Sequence, residues 1–150
     1  MRKIRKSQTV KLRRAGAPRR KSPEERKKMM SAIRSGDTVP ELAVRREAHR
    51  MGYRFRLHRK GLPGTPDLVF PSRRKAVFVH GCFWHAHGCK LSRAPKTNLD
   101  YWVPKLKRNC ARDVRNLEAL TAQGWKHLVI WECESRDIRS LEKRLKKFLK

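Results

Sequence analysis

The chain has 150 residues, a length that suits one folded body with a single core and not two. Its 40 Lys and Arg against 13 Asp and Glu give a formal charge of +27, a field that concentrates polyanions and makes their binding salt-dependent. No apolar run approaches the roughly 20 residues of a membrane-spanning helix, and no signal-peptide core follows the basic start, so the expectation is a cytoplasmic protein that meets nucleic acid and no membrane.

Met1 to Lys21 is about half Lys and Arg with almost nothing to bury, and reads as a disordered basic arm or a solubilising tail. Ser22-Pro23-Glu24-Glu25 has capping-box spacing with Pro at the first helical position and predicts a helix to about Ser35. Thr38-Val39-Pro40-Glu41 repeats the device, and Gly52 suits the end of that second helix. Tyr53 to His58 alternates apolar and basic residues, the run Gly61-Leu62-Pro63-Gly64-Thr65-Pro66 forces a turn, and Asp67-Leu68-Val69-Phe70 completes a hairpin. After another turn at Pro71 to Arg74, Ala76 to His80 is the apolar run of a buried central strand. Leu106, Cys110, Val114, Leu117 and Leu120 recur at helical spacing in a helix from Val103 to Gln123. Lys126 to Trp131 is a further strand, and Ile138, Leu141, Leu145 and Phe148 mark a closing amphipathic helix. The fold class is therefore α/β, a single domain with a small mixed sheet flanked by helices over residues 22–150, preceded by the arm over residues 1–21.

The densest chemistry is Cys82-Phe83-Trp84-His85-Ala86-His87-Gly88-Cys89, two thiols and two imidazoles within one short loop. Tetrahedral zinc takes four N or S ligands, and Cys82, His87 and Cys89 supply three. Cys110 lies on the apolar stripe of its helix, whereas Cys133 stands just past a strand end, so Cys133 is the expected fourth. Four protein ligands leave no position for water, which makes the zinc structural. The H-x-E and P-C-x-x-C pattern of zinc deaminases is absent.

Acids are scarce, so their placement is informative. Glu41 shares a helical face with Val44, Ala48 and Met51 and points inward, and Asp67 stands at a turn-to-strand junction where it can converge with Glu41 on a Mg²⁺ ion. The plainer alternatives are a capping-box role for Glu41 and a turn cap for Asp67. His80 ends the central strand and His85 is not needed by the zinc; one imidazole suits activation of water, and the other can steady a phosphate. Phe83 and Trp84 are adjacent and cannot both be buried on one face of a regular element, which suits a wedge entering a base step, with Trp102 beside them ahead of the helix.

The runs Leu62-Pro63-Gly64-Thr65-Pro66-Asp67, Phe78-Val79-His80-Gly81-Cys82-Phe83-Trp84-His85 and Trp131-Glu132-Cys133 closely resemble the very short patch repair (Vsr) endonucleases, from about Arg26 to Arg136. The resemblance implies a variant PD-(D/E)xK nuclease fold in which Phe78-x-His80 replaces the usual second acid and lysine. It implies Mg²⁺ on Asp67 and the Val79 backbone carbonyl, His85 as the group that activates water, and His80 and Glu41 completing the site. Cys82, His87, Cys89 and Cys133 correspond to structural zinc ligands, and Phe83, Trp84 and Trp102 to the intercalating wedge from the major groove. Met30 corresponds to a minor-groove contact, and Lys105 and Asn109 to positions that read the mismatched pair. The implied function is a strand-specific nick 5′ to the T of a T:G mismatch in double-stranded DNA, repairing deaminated 5-methylcytosine. The enzyme would act as a monomer at the bacterial nucleoid, linked functionally to a cytosine DNA methyltransferase and a repair polymerase. Two rival readings are a non-catalytic zinc-stapled nucleic-acid-binding module and a dimeric cutter of both strands.

Overall fold

The computed structural model describes residues 22, 24, 25, 28, 36–93 and 95–150, in two units, Met1–Arg34 and Ser35–Lys150. In the first unit the Ser22 hydroxyl accepts from the Glu25 amide at 3.1 Å and the Glu25 carboxylate accepts from the Ser22 amide at 2.6 Å, the reciprocal capping box read from the sequence. Glu24, Glu25 and Lys28 are helical. The basic arm, Met30 and the rest of that expected helix lie outside the described residues.

In the second unit Thr38 caps helix α1, Val39–Arg50, and Gly52 takes the chain out of it at φ +80°, a left-handed conformation that an L side chain disfavours. Strands β1 (Arg56–Leu57), β2 (Leu68–Phe70) and β3 (Lys75–His80) follow, then helix α2 (Leu99–Ala122), strand β4 (Lys126–Trp131) and helix α3 (Ile138–Leu149). The sheet order is β1-β2-β3-β4, antiparallel in its first two pairings and parallel between β3 and β4, where Val77 faces Leu128 and His80 faces Trp131. A parallel pair needs a crossover, and α2 provides it.

Side chains alternate across the sheet and build two cores. Leu68, Phe70, Val77 and Ile130 pack with Val44 and Ala48 of α1 and Leu141, Leu145 and Leu149 of α3. Val69, Ala76 and Phe78 face the other way, onto Leu120 of α2 and Trp125. The same parity puts Asp67, Phe78 and His80 on the α2 side, which decides where the site forms. Burial on both faces accounts for the continuous apolar run of β3. None of the helices among the described residues is long and apolar enough to cross a membrane.

Three local expectations are corrected. Helix α2 starts at Leu99 rather than Val103, so Trp102 lies inside it and Pro104 is an internal residue. Proline removes one backward hydrogen bond, and the extra turn is held by Tyr101 and Trp102 packing beside Phe83 and Trp84. Val114 is 53% exposed, because the inward row of α2 runs 106, 110, 113, 117, 120 and Asp113 takes the inner place. Ile138 is 50% exposed at the first turn of α3, while Leu149 at the other end is fully buried.

Candidate active site and metal centre

Asp67 projects from the start of β2 into a cleft of about 380 Å³ lined by Glu41, Val79, His80, His85 and, from α2, Arg112, Asp113 and Asn116. The approach to it is a tight turn at Gly64, φ +74°, where an added Cβ would lie 3.0 Å from Asn116 Cβ and 3.1 Å from the Phe78 ring. The glycine thus allows the turn to pack against α2 and Phe78. Asp67 Oδ2 accepts from the Val79 amide at 2.7 Å, which fixes the carboxylate against the backbone of β3. Burial pushes the Asp67 carboxyl up to about 6; the Val79 amide opposes this, the Glu41 carboxylate adds to it, and His58 and Arg45 oppose it.

Glu41 is only 5% exposed. Its Oε1 accepts from the Thr38 hydroxyl at 2.9 Å, and its Oε2 accepts from the Asp37 amide and from Arg45 Nη2, both at 3.0 Å. The capping role and the inward-facing role are therefore one arrangement. The carboxylate anchors the start of α1 and adds a second negative charge to the Asp67 cleft.

His80, at the end of β3, stacks on His85 with ring centroids 3.9 Å apart and planes 7° from parallel. Burial lowers the His80 imidazole to about 4, with the neighbouring His85 and Arg112 acting in the same direction and Asp113 opposing, so His80 is neutral near pH 7. His85 Nδ1 lies in hydrogen-bond contact with Asp113 Oδ2. A carboxylate accepts, so that contact keeps the ring proton on Nδ1 and leaves the Nε2 lone pair available as a base.

Beyond the histidines lies a second cluster. Cys82, His87, Cys89 and Cys133 place three thiols and one imidazole nitrogen within 4.8 Å of one another. None of the cysteines is in a disulfide. The Cys133 amide points at Cys82 Sγ at 3.4 Å, Cys133 Sγ lies 3.5 Å from His87 Nδ1, and the His87 ring stacks on Trp131 at 4.1 Å. Burial pushes the Cys82 thiol up to about 12. Burial opposes ionisation of Cys89 too, but hydrogen bonds from His87 and from backbone amides bring it down to about 6. Thiols packed this way ionise together only around a cation, and an S₃N donor set at this spacing fits a tetrahedral soft-to-borderline metal.

Phe83, Trp84 and Trp102 form one partly exposed aromatic cluster, with centroids 5.2 Å apart for Phe83 with each tryptophan and 6.1 Å between the tryptophans. Trp84 lies against Gly81, where a Cβ would come within 3.1 Å of its ring. Lys105 Nζ sits 5.6, 5.1 and 5.5 Å from the ring centroids of Trp84, Tyr101 and Trp102 and donates to the Tyr101 hydroxyl at 2.9 Å. Asn109 Nδ2 donates to the Trp84 carbonyl at 3.0 Å.

Comparison with known proteins gives this geometry a context. Residues 20–91 match the family described as DNA mismatch endonuclease Vsr. The chain is 58% identical over 130 residues to the type II nicking enzyme V.XorIIP of Xanthomonas oryzae pv. oryzae, covering 87% of this chain and 96% of that protein. The chain belongs to the Vsr family. It is also 38% identical over 122 residues to the type II nicking enzyme V.NmeAIP of Neisseria meningitidis, covering 81% of this chain and 87% of that protein. With the DNA mismatch endonuclease Vsr of Escherichia coli it shares 40% identity over 111 residues, 74% of this chain and 71% of that protein.

For this Vsr-family chain the structure brings Asp67, Glu41, Val79, His80 and His85 to one cleft, the four zinc-ligand candidates to one cluster, and Phe83, Trp84, Trp102, Lys105 and Asn109 to one surface. Sequence reading missed Asp113, Arg112 and Asn116, all of which line the cleft from α2. The signal for Asp113 was present: a carboxylate three residues after Cys110 and four before Leu117 falls on the inward row of the helix. Val114, the apolar neighbour four residues after Cys110, masks it in the sequence pattern. Tyr101 was missed with the helical turn that carries it.

Proposed function

We propose that this protein nicks one strand of duplex DNA 5′ to the T of a T:G mismatch, leaving a 3′-hydroxyl and a 5′-phosphate and starting repair of deaminated 5-methylcytosine. The observation that carries this reading is the opposition, across one cleft, of the partly buried Asp67 carboxylate and a His85 imidazole clamped by Asp113. A carboxylate seated beside a strand backbone suits a hard divalent cation, and Asp67 with the Val79 carbonyl would hold Mg²⁺, with Glu41 behind them. When bound, Mg²⁺ supplies positive charge to the scissile phosphate and to the departing 3′ oxygen.

His85 Nε2 takes a proton from the attacking water, and Asp113 Oδ2 stabilises the charge that the ring then carries. His80, kept neutral by burial, holds the plane of His85 by stacking and presents a ring N–H to a phosphate oxygen. The cleft has the character of a PD-(D/E)xK nuclease centre in which Phe78-x-His80 replaces the second acid and lysine. Cys82, His87, Cys89 and Cys133 would hold a structural Zn²⁺.

Phe83, Trp84 and Trp102 form the wedge that enters the base step from the major groove, and Met30 is assigned a minor-groove contact by the family resemblance alone. Partial unstacking costs a few kcal/mol and is least at a mismatch, which favours T:G over a paired step. Lys105 and Asn109 read the mismatched pair, and Asn109 exchanges its bond to the Trp84 carbonyl for one to a base edge. The basic arm adds affinity without sequence preference. The protein acts as a monomer, at sites set by a partner cytosine methyltransferase, and hands the nick to a repair polymerase.

The test is a denaturing gel of strand-labelled duplexes carrying a central T:G or T:A pair, with Mg²⁺ or with EDTA. A Mg²⁺-dependent cut confined to the T strand of the mismatch is expected. Binding without cutting would move the reading to a nucleic-acid-binding module, and cutting of both strands to a double-strand cutter.

A further inference from the structure

Beside the Asp67 cleft, Asp37, Glu41 and His58 bring donor atoms within 4.8 Å, a spacing that a second divalent ion could bridge. The position is already taken by a cation. Arg45 Nη1 pairs with Asp37 Oδ1, and Arg45 Nη2 lies 3.0 Å from Glu41 Oε2 and 2.9 Å from His58 Nε2. The Arg45 side chain is largely buried, 11% exposed, and its guanidinium is held by all three groups at once.

The contact with His58 has a consequence for the proton on that ring. Arginine has donors only, so His58 Nε2 must accept, and in the neutral imidazole the proton is left on Nδ1. Nδ1 is the nitrogen that faces Asp67, 3.9 Å from Oδ1. The other Asp67 oxygen, Oδ2, is held by the Val79 amide. His58 keeps this pose with a positive φ of +42°, a region that histidine, like asparagine and aspartate, enters more often than other side chains do.

We infer that Arg45 and His58 are positioning residues for Asp67: Arg45 fills the second cation position and sets the His58 tautomer, and His58 aims an N–H at the Asp67 oxygen that the backbone does not hold. At 3.9 Å the donor directs Oδ1 without occupying it, and a carboxylate oxygen has a lone pair for an ion as well as one for a donor. Outer partners of this kind orient a metal-binding carboxylate, and their removal typically lowers metal affinity or activity by about 10- to 100-fold. The inference rests on the proposed role of Asp67, and its test separates the two.

The first arm is ¹⁵N NMR of the His58 imidazole in the full chain as purified, before Mg²⁺ is added. An Nδ1-protonated neutral ring is expected, with Arg45→Lys raising the Nε2-protonated form because one ammonium cannot span Asp37, Glu41 and His58 together. A wild-type ring protonated on Nε2 would overturn the inference. The second arm compares His58→Phe with His58→Asn. Asparagine tolerates the left-handed backbone and keeps a donor near the Nδ1 position. Titration with Mn²⁺, followed by electron paramagnetic resonance, should show affinity falling about 10- to 100-fold in His58→Phe and recovering in His58→Asn. In the nicking assay kcat should follow the same order while KM for the duplex stays unchanged. Equal Mn²⁺ affinity in wild type and His58→Phe would overturn the inference. Absence of nicking by the wild type, with the NMR and Mn²⁺ results as expected, would refute the proposed activity alone.

Discussion

Replacing Asp67 by asparagine should make the protein more stable as it removes the nick. Burial holds the Asp67 carboxyl at about 6 against an ordinary 3.8. Between those two values the folded state binds more protons than the unfolded chain, so this group's contribution to stability falls as pH rises and reaches its full adverse value above about pH 6. The difference corresponds to about 3 kcal/mol at pH 8 and to about 1.5 kcal/mol at pH 5, both upper values because solvent still reaches part of the side chain. Asparagine can keep an acceptor for the Val79 amide, now 2.7 Å from Oδ2, without any charge to desolvate. Urea unfolding of both proteins without added Mg²⁺, at about pH 5 and about pH 8, should show the asparagine variant more stable by up to these amounts, with the larger gain at the higher pH. A variant no more stable than wild type, or a gain that does not grow with pH, would refute the reasoning. Mismatched duplex should still bind the variant.

The same carboxyl predicts a pH dependence of activity: with Mg²⁺ below saturation, nicking should fall as pH drops through about 6, because a protonated Asp67 cannot hold the ion, and excess Mg²⁺ should shift the profile to lower pH. His85→Ala should lower kcat by about 10²- to 10⁴-fold, the usual contribution of a positioned base, and Asp113→Asn should lower it too while leaving duplex affinity unchanged in a binding assay. Trp84→Ala should weaken the preference for T:G over T:A more than it weakens overall affinity; equal losses on both duplexes would argue against insertion of the ring. Cys133→Ala should lower bound zinc, measured by elemental analysis of the purified protein, and broaden or lower the thermal transition.

Much of this site was legible because the chemistry is compressed into few residues. Cys82 to Cys89 holds three candidate ligands in one loop, and the choice of Cys133 over Cys110 followed from where each falls in its element; the structure places Cys110 apart from the cluster, with its thiol directed at the His85 carbonyl. The inward face of α1 and the position of His80 at the end of the central strand were equally readable, and both Glu41 and His80 line the cleft. The start of α2 was hidden because Pro104 reads as a first-turn residue, and only the packing of Trp102 against Phe83 shows that the helix begins a turn earlier. The guanidinium of Arg45 was hidden for another reason. On the helix wheel it is one of many basic residues, and what sets it apart is a contact with His58 across 13 positions of sequence, which no local pattern encodes.

The parallel pairing of β3 and β4 explains why the metal cluster and the candidate base share one loop. Both strands end at the same edge of the sheet, His80 opposite Trp131, and the Glu132 amide donates to the His80 carbonyl at 2.9 Å, so the chain leaves both strands side by side. Ligand sites in α/β sheets form beyond the carboxyl ends of such strands. Here the loop after β3 supplies Cys82, His87 and Cys89, and the turn after β4 supplies Cys133. His85 lies between the first and second of these ligands in sequence, so an ion that closes the cluster also limits where His85 can move relative to Asp113 and Asp67. The zinc would then matter for catalysis without touching substrate. Partial loss of metal from the cluster should lower kcat before it lowers affinity for matched duplex, because His85 lies within the loop whereas the 40 Lys and Arg are spread along the whole chain; parallel loss of both would mean that the cluster holds the whole fold and not the base alone.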